Sequence, residues 1–310
     1  MPGSMHWLVA AVVASLLCCL PGLSRADVCD RIAEKSPQAK EILAPPPTEI
    51  PGTVSHVYKT VAGTDLKLFV IAPTGATRAP KAAVVIFYGG GWLFGNPSLS
   101  LPLGQYIAGR GAVAILADYR AYCRARTVIT DQMADANAAM IWVRSHAAEL
   151  GVDPHRIAAF GGSSGGHLAA SAAVFKSTAT IANGKQLSSR PDLLVLFYPC
   201  VDETSPFEKQ SADAFGGHGK DVSPLYHVIP GLPPTVIFQG TKDPLYPSTK
   251  AFCAEVRTMG GRCRFVEIEG ADHGFFASTN PGPFRDIGLK GMDEYLTRAG
   301  YLPASVEKPS

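Results

Sequence analysis

Two adjacent serines, Ser163 and Ser164, lie inside the glycine run GGSSGG at residues 161–166. The apolar residues 157–160 just before it predict a buried strand, and an alanine-rich helix is predicted just after it. Strand, glycine-flanked serine and helix together are typical of a nucleophile elbow, a tight turn that exposes one serine hydroxyl at the end of a sheet. The pattern therefore predicts a nucleophilic serine, with a flexible Gly/Ser turn as the alternative.

The spacing Gly-x-Ser-x-Gly fits this run twice, centred on Ser163 or on Ser164. We favour Ser163 because it lies closer to the end of the predicted strand. That register also leaves Gly165 and Gly166 free for close packing of the helix that follows.

A serine hydroxyl is a weak nucleophile at neutral pH, so it requires a base and a group that orients the base. Asp243 follows the predicted strand 235–239, and His273 follows the predicted strand 264–268. The chain order serine, aspartate, histidine is that of one known arrangement of such groups. We therefore predict Ser163 as nucleophile, His273 as base and Asp243 as the acid that orients it.

The other acidic residues and histidines considered for the site are interpreted as an alternative acid or as non-catalytic residues. Asp202, which follows an earlier strand, is the alternative acid, and Asp272 is interpreted as structural because it points elsewhere from the loop of His273. The remaining histidines of the mature chain are interpreted as surface or packing residues: His56, His146, His155, His167, His218 and His227.

Three successive glycines, residues 89–91, follow the apolar run 82–88 and precede Trp92. Without side chains, their backbone N–H groups can turn toward the negative charge that develops on a substrate oxygen during acyl transfer. This position, directly after a buried strand, favours an oxyanion-binding loop over a merely flexible one.

The elements that must position these groups follow one pattern. A hairpin is predicted over residues 54–61 and 66–71, and apolar strands then alternate with amphipathic helices. Such alternation predicts an α/β fold with one mostly parallel sheet and helices on both faces, whose carboxyl edge collects the reactive groups. The further strands are predicted at 82–88, 112–117, 157–160, 193–198, 235–239 and 264–268, and the main helices at 29–43, 100–110, 131–150, 248–259 and 283–299.

Residues 54–302 resemble the α/β-hydrolase superfamily. The similarity is greatest to hormone-sensitive-lipase-like carboxylesterases and to small secreted carbohydrate esterases of the acetyl xylan or feruloyl type. The motifs that carry it are YGGGW (88–92), ADYR (117–120), DPHRIAAFGGSSGGHLA (153–169), GTKD (240–243) and DHGF (272–275). The resemblance implies an α/β-hydrolase fold, a serine hydrolase acting through Ser163, and oxyanion donors at the N–H groups of Gly90, Gly91 and Ser164.

This chain departs from that family at two positions. Tyr88 stands where the family usually has histidine, and Gly162 where it often has aspartate. The sequence before the first strand is also too short for a large cap, so we expect a small lid or none. We expect Trp92, Phe94 and Phe275 to line the open site that results, and the loop-rich residues 206–234 to shape its rim.

Composition limits the classes of molecule that the protein is expected to bind. The chain has 310 residues and a formal net charge of +2, without a basic block, which argues against nucleic acid as a partner. Five cysteines remain beyond residue 26, and none has a metal-ligand spacing, so we expect no metal and no cofactor. Cys253 and Cys263 lie across a predicted helix-to-strand return that would bring them together.

The N-terminus predicts export. Residues 7–20 are almost entirely apolar, and Ser24 and Ala26 are small residues suited to a cleavage site before Asp27. We therefore expect a removed signal peptide (1–26), a secreted or periplasmic protein and no stable membrane anchor. An N-terminal helix and Pro-rich linker (27–52), the catalytic domain (53–303) and a tail (304–310) would follow.

The leading hypothesis is a secreted serine carboxylic-ester hydrolase that forms an acyl-enzyme with short-acyl or carbohydrate-borne esters. Its partner would be a small-molecule or polysaccharide-borne ester. An amide hydrolase (a peptidase or formamidase) with the same triad is one alternative, and a non-catalytic binding protein on the same fold is another. The sequence leaves the oligomeric state open.

Overall fold

The computed structural model describes residues 29–30, 45–74, 79–180, 184, 186–207, 216, 219–278 and 280–304. The predicted signal peptide, most of the predicted N-terminal helix and linker, most of the tail, and His218 lie outside these residues. The division of the chain at residues 26, 52 and 303 therefore stays a prediction.

The strands of the described residues are β1 Val54–Val61, β2 Thr64–Ile71, β3 Lys81–Phe87, β4 Val113–Ala117, β5 Val152–Gly162, β6 Thr178–Thr180, β7 Gln186–Ser188, β8 Leu193–Phe197, β9 Thr235–Gly240 and β10 Cys263–Ile268. Eight of them form one sheet with the strand order β1-β2-β4-β3-β5-β8-β9-β10. Strand β2 runs antiparallel to both of its neighbours, and the strands from β4 to β10 in that order pair in parallel. Strands β6 and β7 form a separate two-stranded ribbon.

Helices cover both faces of the large sheet. They are α1 Leu101–Gly109, α2 Tyr122–Ala125, α3 Ile129–Ser145, α4 Ser164–Val174, α5 Tyr246–Thr258 and α6 Pro283–Arg298, with 3₁₀ turns at Pro97–Ser100, Gly219–Asp221 and Pro224–His227. Met140 of α3, Leu168 of α4 and Phe252 of α5 belong to the core on one face. Ile107 of α1 and Met292 of α6 belong to the core on the other. The predicted fold class is confirmed.

Several element ends differ from the predictions for local reasons. The hairpin turn is only two residues long, because Ala62 and Gly63 both take positive φ angles (47° and 78°), as a tight hairpin turn requires. Strand β5 begins five residues earlier than predicted, with a register shift against β3 that accommodates Pro154. Helix α3 begins at Ile129 because the residue before it, Val128, is capped. The Val128 N–H donates a hydrogen bond to the Asp131 carboxylate in the first turn of the helix.

Two disulfides cross-link the described chain. Cys253 and Cys263 pair across the return from α5 to β10, as their predicted positions suggested. Cys29 pairs with Cys123 at a sequence separation of 94 residues, a pairing that the spacing alone did not indicate. The fifth cysteine, Cys200, keeps a buried thiol.

Candidate active site

Ser163 lies at the sharp turn between β5 and α4. Its backbone angles, φ 55° and ψ −127°, are ones that side-chain-bearing residues rarely adopt. The turn is fixed from both sides, because its N–H donates to the Phe197 carbonyl (3.0 Å) and its carbonyl accepts from the Cys200 N–H (3.1 Å). This geometry leaves the Ser163 side chain half-buried at the carboxyl edge of the sheet.

The glycines around Ser163 are required by close backbone contacts. A Cβ atom at Gly161 would lie 2.1 Å from the Gly165 carbonyl oxygen, and one at Gly165 would lie 2.2 Å from the Phe87 carbonyl oxygen. Real Cβ atoms do not approach carbonyl oxygens so closely. These contacts belong to the register centred on Ser163, whereas the side chain of Ser164 is fully buried.

A chain of hydrogen bonds joins Ser163, His273 and Asp243. Ser163 Oγ lies 2.9 Å from His273 Nε2, and His273 Nδ1 lies 2.9 Å from Asp243 Oδ2. The carboxylate can only accept, so Nδ1 carries the proton and Nε2 is free to accept the serine hydroxyl. Asp243 is 3% exposed, and its other oxygen accepts from the Leu245 N–H. The structure thus brings together the three residues predicted from their order in the chain.

The alternative residues lie elsewhere. Asp202 accepts a hydrogen bond from the Thr204 N–H, and the acceptor of His273 Nδ1 is Asp243 rather than the adjacent Asp272. His155 is exposed, and His167 is fully buried. The other described histidines pack against aromatic rings: His56 and His146 against Trp142, and His227 against Phe175.

The residues predicted as oxyanion donors meet the backbone requirements for that role. Gly90 and Gly91 have φ angles of 148° and 60°, and a Cβ at Gly90 would lie 2.2 Å from the Phe94 carbonyl oxygen. Among the described residues, no backbone carbonyl accepts a hydrogen bond from the N–H of either glycine. Ser164 is the first residue of α4, where an N–H has no intrahelical acceptor.

Hydrogen bonds of the buried Trp92 support the glycine loop at residues 89–91. The carbonyl of Trp92 accepts from the Tyr122 N–H (2.9 Å) and from Gln132 Nε2 (3.0 Å). Its indole N–H donates to His167 Nδ1 (3.2 Å), and His167 Nε2 lies 2.9 Å from the Val222 carbonyl oxygen. Both ring nitrogens of His167 are therefore used in the neutral form, and burial lowers the pKa of His167 from 6.5 to about 4.

Tyr88, at the position of the family's usual histidine, anchors the start of the same loop. Its hydroxyl donates to the Tyr119 carbonyl (3.0 Å), and its own carbonyl accepts from the Tyr119 hydroxyl (2.8 Å). The Asp118 carboxylate lies nearby and is paired with Arg124 (2.8 Å). Burial, and after it the Asp118 charge, raise the pKa of Tyr88 well above its usual value, so this phenol stays neutral and acts as a donor.

Two of the three residues expected to line the site are buried in the hydrophobic core instead. Trp92 and Phe275 are only 1% and 2% exposed. Both belong to motifs of the site, but side chains next to a tight turn can equally point inward. Phe94 is partly buried against the same core as Trp92, and its place in the lining stays a prediction.

Three residues near the candidate site were not singled out from the sequence. The Tyr198 ring packs edge-on against His273 with ring centres 5.0 Å apart, and the Phe207 ring lies 5.9 Å from the same imidazole. Cys200 Sγ lies 3.9 Å from Ser163 Oγ. The sequence indicates these residues only by their position: Tyr198 and Cys200 follow the strand next to the elbow.

Comparison with known proteins decides the family. The family described as alpha/beta hydrolase fold matches residues 84–277. This chain belongs to that family. The match includes the glycine loop, the elbow and both loops that carry Asp243 and His273.

The curated relatives described here are named as esterases. The alignment with each covers about half to two thirds of that relative's length. A probable isoprenylcysteine alpha-carbonyl methylesterase of Arabidopsis thaliana is 28% identical over 67% of this chain and 48% of its own length. A probable carboxylic ester hydrolase of Mycobacterium tuberculosis is 28% identical over 60% of this chain and 48% of its own. A carboxylesterase of the same bacterium is 30% identical over 64% and 67%. The chain thus spans about half the length of the first two relatives.

A solved structure matches over almost its whole length. Esterase 2 of the planctomycete Thermogutta terrifontis has 38% sequence identity and a TM-score of 0.73, covering 84% of this chain and 97% of that one. Structures of that esterase with propionate or butyrate bound, and phosphorylated by paraoxon, match similarly.

Membrane-spanning helices and clusters of metal ligands are two further features that could indicate a function. Within the ranges that the structure describes, no helix combines the length and apolarity needed to cross a bilayer. In the same ranges, no group of three His, Cys, Asp or Glu side chains is arranged to hold a metal ion.

Proposed function

We propose that this protein hydrolyses carboxylic esters through an acyl-enzyme on Ser163. The observation that carries the proposal is the continuous relay of two 2.9 Å hydrogen bonds from Ser163 through His273 to the buried Asp243. The relatives named as esterases and the match to esterase 2 along most of the chain support the same reaction.

Each group of the site has a defined role in this reaction. Ser163 Oγ attacks the ester carbonyl carbon while His273 Nε2 takes the serine proton, and the negative charge moves to the carbonyl oxygen. The N–H groups of Gly90, Gly91 and Ser164 bind that oxygen. His273 then gives the proton to the leaving alcohol, and the acyl group stays on Ser163. A water activated by His273 releases the acid and restores the serine.

The substrate we propose is an ester of a short acyl group, either a small molecule or one carried on a polysaccharide. Support comes from esterase 2, a protein similar over nearly its whole length that binds propionate and butyrate. We also propose that the protein is exported. Its two disulfides support export, because such bonds persist chiefly in oxidising compartments.

The test is hydrolysis of p-nitrophenyl acetate, butyrate and octanoate by the wild type and by two matched variants. Ser163→Ala should lower kcat by about 10⁴-fold or more, as losing a nucleophile does in comparable enzymes, and should abolish labelling by a fluorophosphonate. Ser164→Ala should retain labelling, because it keeps the backbone N–H. Turnover should be fastest on the shorter esters.

Several outcomes would contradict the proposal. If wild-type protein turned over none of the three esters, it would not be an esterase of this kind. Loss of labelling in Ser164→Ala alone would move the nucleophile by one residue. An anilide of the same acid that was cleaved faster than its ester would favour an amide hydrolase.

A further inference from the structure

A second recess lies at the opposite edge of the sheet from Ser163. Its volume is about 880 Å³, and the first residues of three strands, Leu193, Thr235 and Cys263, line it. Those strands run parallel to β5, whose carboxyl end leads into Ser163. The recess therefore lies at the amino edge, and its volume falls within the range of small-ligand sites, about 300–1,000 Å³.

The lining of this amino-edge recess is strongly basic. One carboxylate lines it, that of Asp192, which is already paired with Arg144 (3.1 Å). The whole chain has a net charge of only +2, so positive charge is concentrated here. The arginines that line the recess are Arg156, Arg257, Arg262, Arg264 and Arg298.

Two of these arginines have no protein group to neutralise them. Arg262 immediately precedes β10, Arg264 is the second residue of that strand, and both line the recess. Within the described ranges, neither forms an ion pair or a side-chain hydrogen bond. Both are close enough to Tyr295 to lower its pKa, although burial raises that pKa more. By contrast, Arg156 already binds Asp153.

We propose that the amino-edge recess binds a small polyanion, a ligand with two or more phosphate or carboxylate groups. Like charges that line one recess repel each other, and an anion between them removes that repulsion. The guanidinium fork matches phosphate and carboxylate oxygens two at a time. Arg298 of α6 also lines the recess, but its guanidinium already pairs with Glu294 (3.5 Å), so Arg262 and Arg264 carry the proposed site.

The test is isothermal titration calorimetry with pyrophosphate and with citrate at low ionic strength. Wild-type protein should bind at least one probe at a single saturable site, and the preferred probe identifies phosphate or carboxylate as the recognised group. Arg262→Ala/Arg264→Ala should bind about tenfold more weakly or worse, because the variant loses both guanidinium groups that would form charge-assisted hydrogen bonds to the anion. Arg262→Lys/Arg264→Lys should fall between the two.

The matched control is Lys176→Ala/Lys290→Ala, which removes two positive charges from exposed positions outside the recess. It should bind as the wild type does, and thermal unfolding should show all variants folded. Absence of saturable binding by the wild type to both probes, or equal weakening in the control, would overturn the proposal. Turnover of p-nitrophenyl acetate should be the same in all these variants, so this test and that of the esterase proposal fail separately.

Discussion

The elbow around Ser163 and the glycine loop at residues 89–91 are neighbouring turns held by different kinds of atoms. Backbone atoms hold the elbow, because they fill the space where side chains at Gly161 and Gly165 would lie and form the hydrogen bonds of Ser163. The glycine loop also leaves no space for a side chain at Gly90, but the side chains of Trp92 and Tyr88 hold it through their hydrogen bonds. Backbone packing should fail all at once when a methyl group is added, whereas side-chain supports can be removed one hydrogen bond at a time.

The largest effect is expected at the elbow. Gly165→Ala places a Cβ 2.2 Å from the Phe87 carbonyl oxygen, so strands and helix must separate. We expect a loss of more than about 4 kcal/mol in the free energy of unfolding and no measurable turnover. Urea denaturation and the p-nitrophenyl acetate assay measure both. Gly109→Ala, in α1 where a Cβ would meet nothing within 4 Å, is the control. It should leave turnover unchanged and should raise the free energy of unfolding by about 1 kcal/mol at most.

A smaller effect is expected at Trp92. Trp92→Phe keeps a buried ring but removes the N–H that donates to His167 Nδ1. We expect kcat to fall about 10–100-fold, somewhat less than the loss of one oxyanion donor, with KM nearly unchanged. Steady-state kinetics distinguish this from a binding defect, in which KM alone would rise.

His167, which accepts the hydrogen bond of Trp92, should make the free energy of unfolding depend on pH. Burial lowers the pKa of His167 from 6.5 to about 4, so between those values the unfolded chain binds a proton that the folded one excludes. The stability is fully present above pH 6.5 and falls as the pH drops toward 4. The buried Glu203 carboxylate lies 3.4 Å from His167 Nε2 and favours the protonated ring. Since one pKa unit corresponds to about 1.4 kcal/mol, the total is at most roughly 3 kcal/mol.

Urea titrations across that pH range measure this slope. His167→Gln should flatten it, because no ring remains to be protonated. Equal slopes in the two proteins would show that other groups cause the acid sensitivity.

The smallest effect is expected at Tyr88. Tyr88→Phe removes the hydroxyl that donates to the Tyr119 carbonyl and should lower stability by about 1 kcal/mol, with a several-fold loss in kcat. Tyr106→Phe is the matched control, since its hydroxyl binds Asp293 away from the site. It should lower stability similarly and leave kcat unchanged. Equal kcat losses would mean that Tyr88 has no special connection to the loop.

The sequence predicted the fold and the grouping of Ser163, Asp243 and His273 for one physical reason. Buried parallel strands read as apolar runs, and their carboxyl ends meet at one edge of the sheet. Residues just past those ends must therefore be close in space, even when 110 residues apart in the chain as Ser163 and His273 are.

The supports behind the glycine loop could not be predicted in this way. Trp92 and His167 are 75 residues apart, and each points inward from a helix or turn rather than from a strand end. Periodicity shows that such residues are buried, but it does not show which partner each one meets. For the same reason the pairing of Cys29 with Cys123 was not predicted, while the short return between Cys253 and Cys263 was.

The two disulfides join consecutive cysteines of the chain beyond residue 26, Cys29 with Cys123 and Cys253 with Cys263, and Cys200 falls between the pairs. A chain that entered an oxidising compartment from its N-terminus would meet each correct partner as the next thiol to arrive. Cys200 would arrive when the first pair is already closed, and it would be the one earlier thiol that Cys253 could meet before Cys263 emerges. In the folded protein Cys200 is buried, so packing of the elbow before Cys253 emerges would let both native pairs form without disulfide isomerisation.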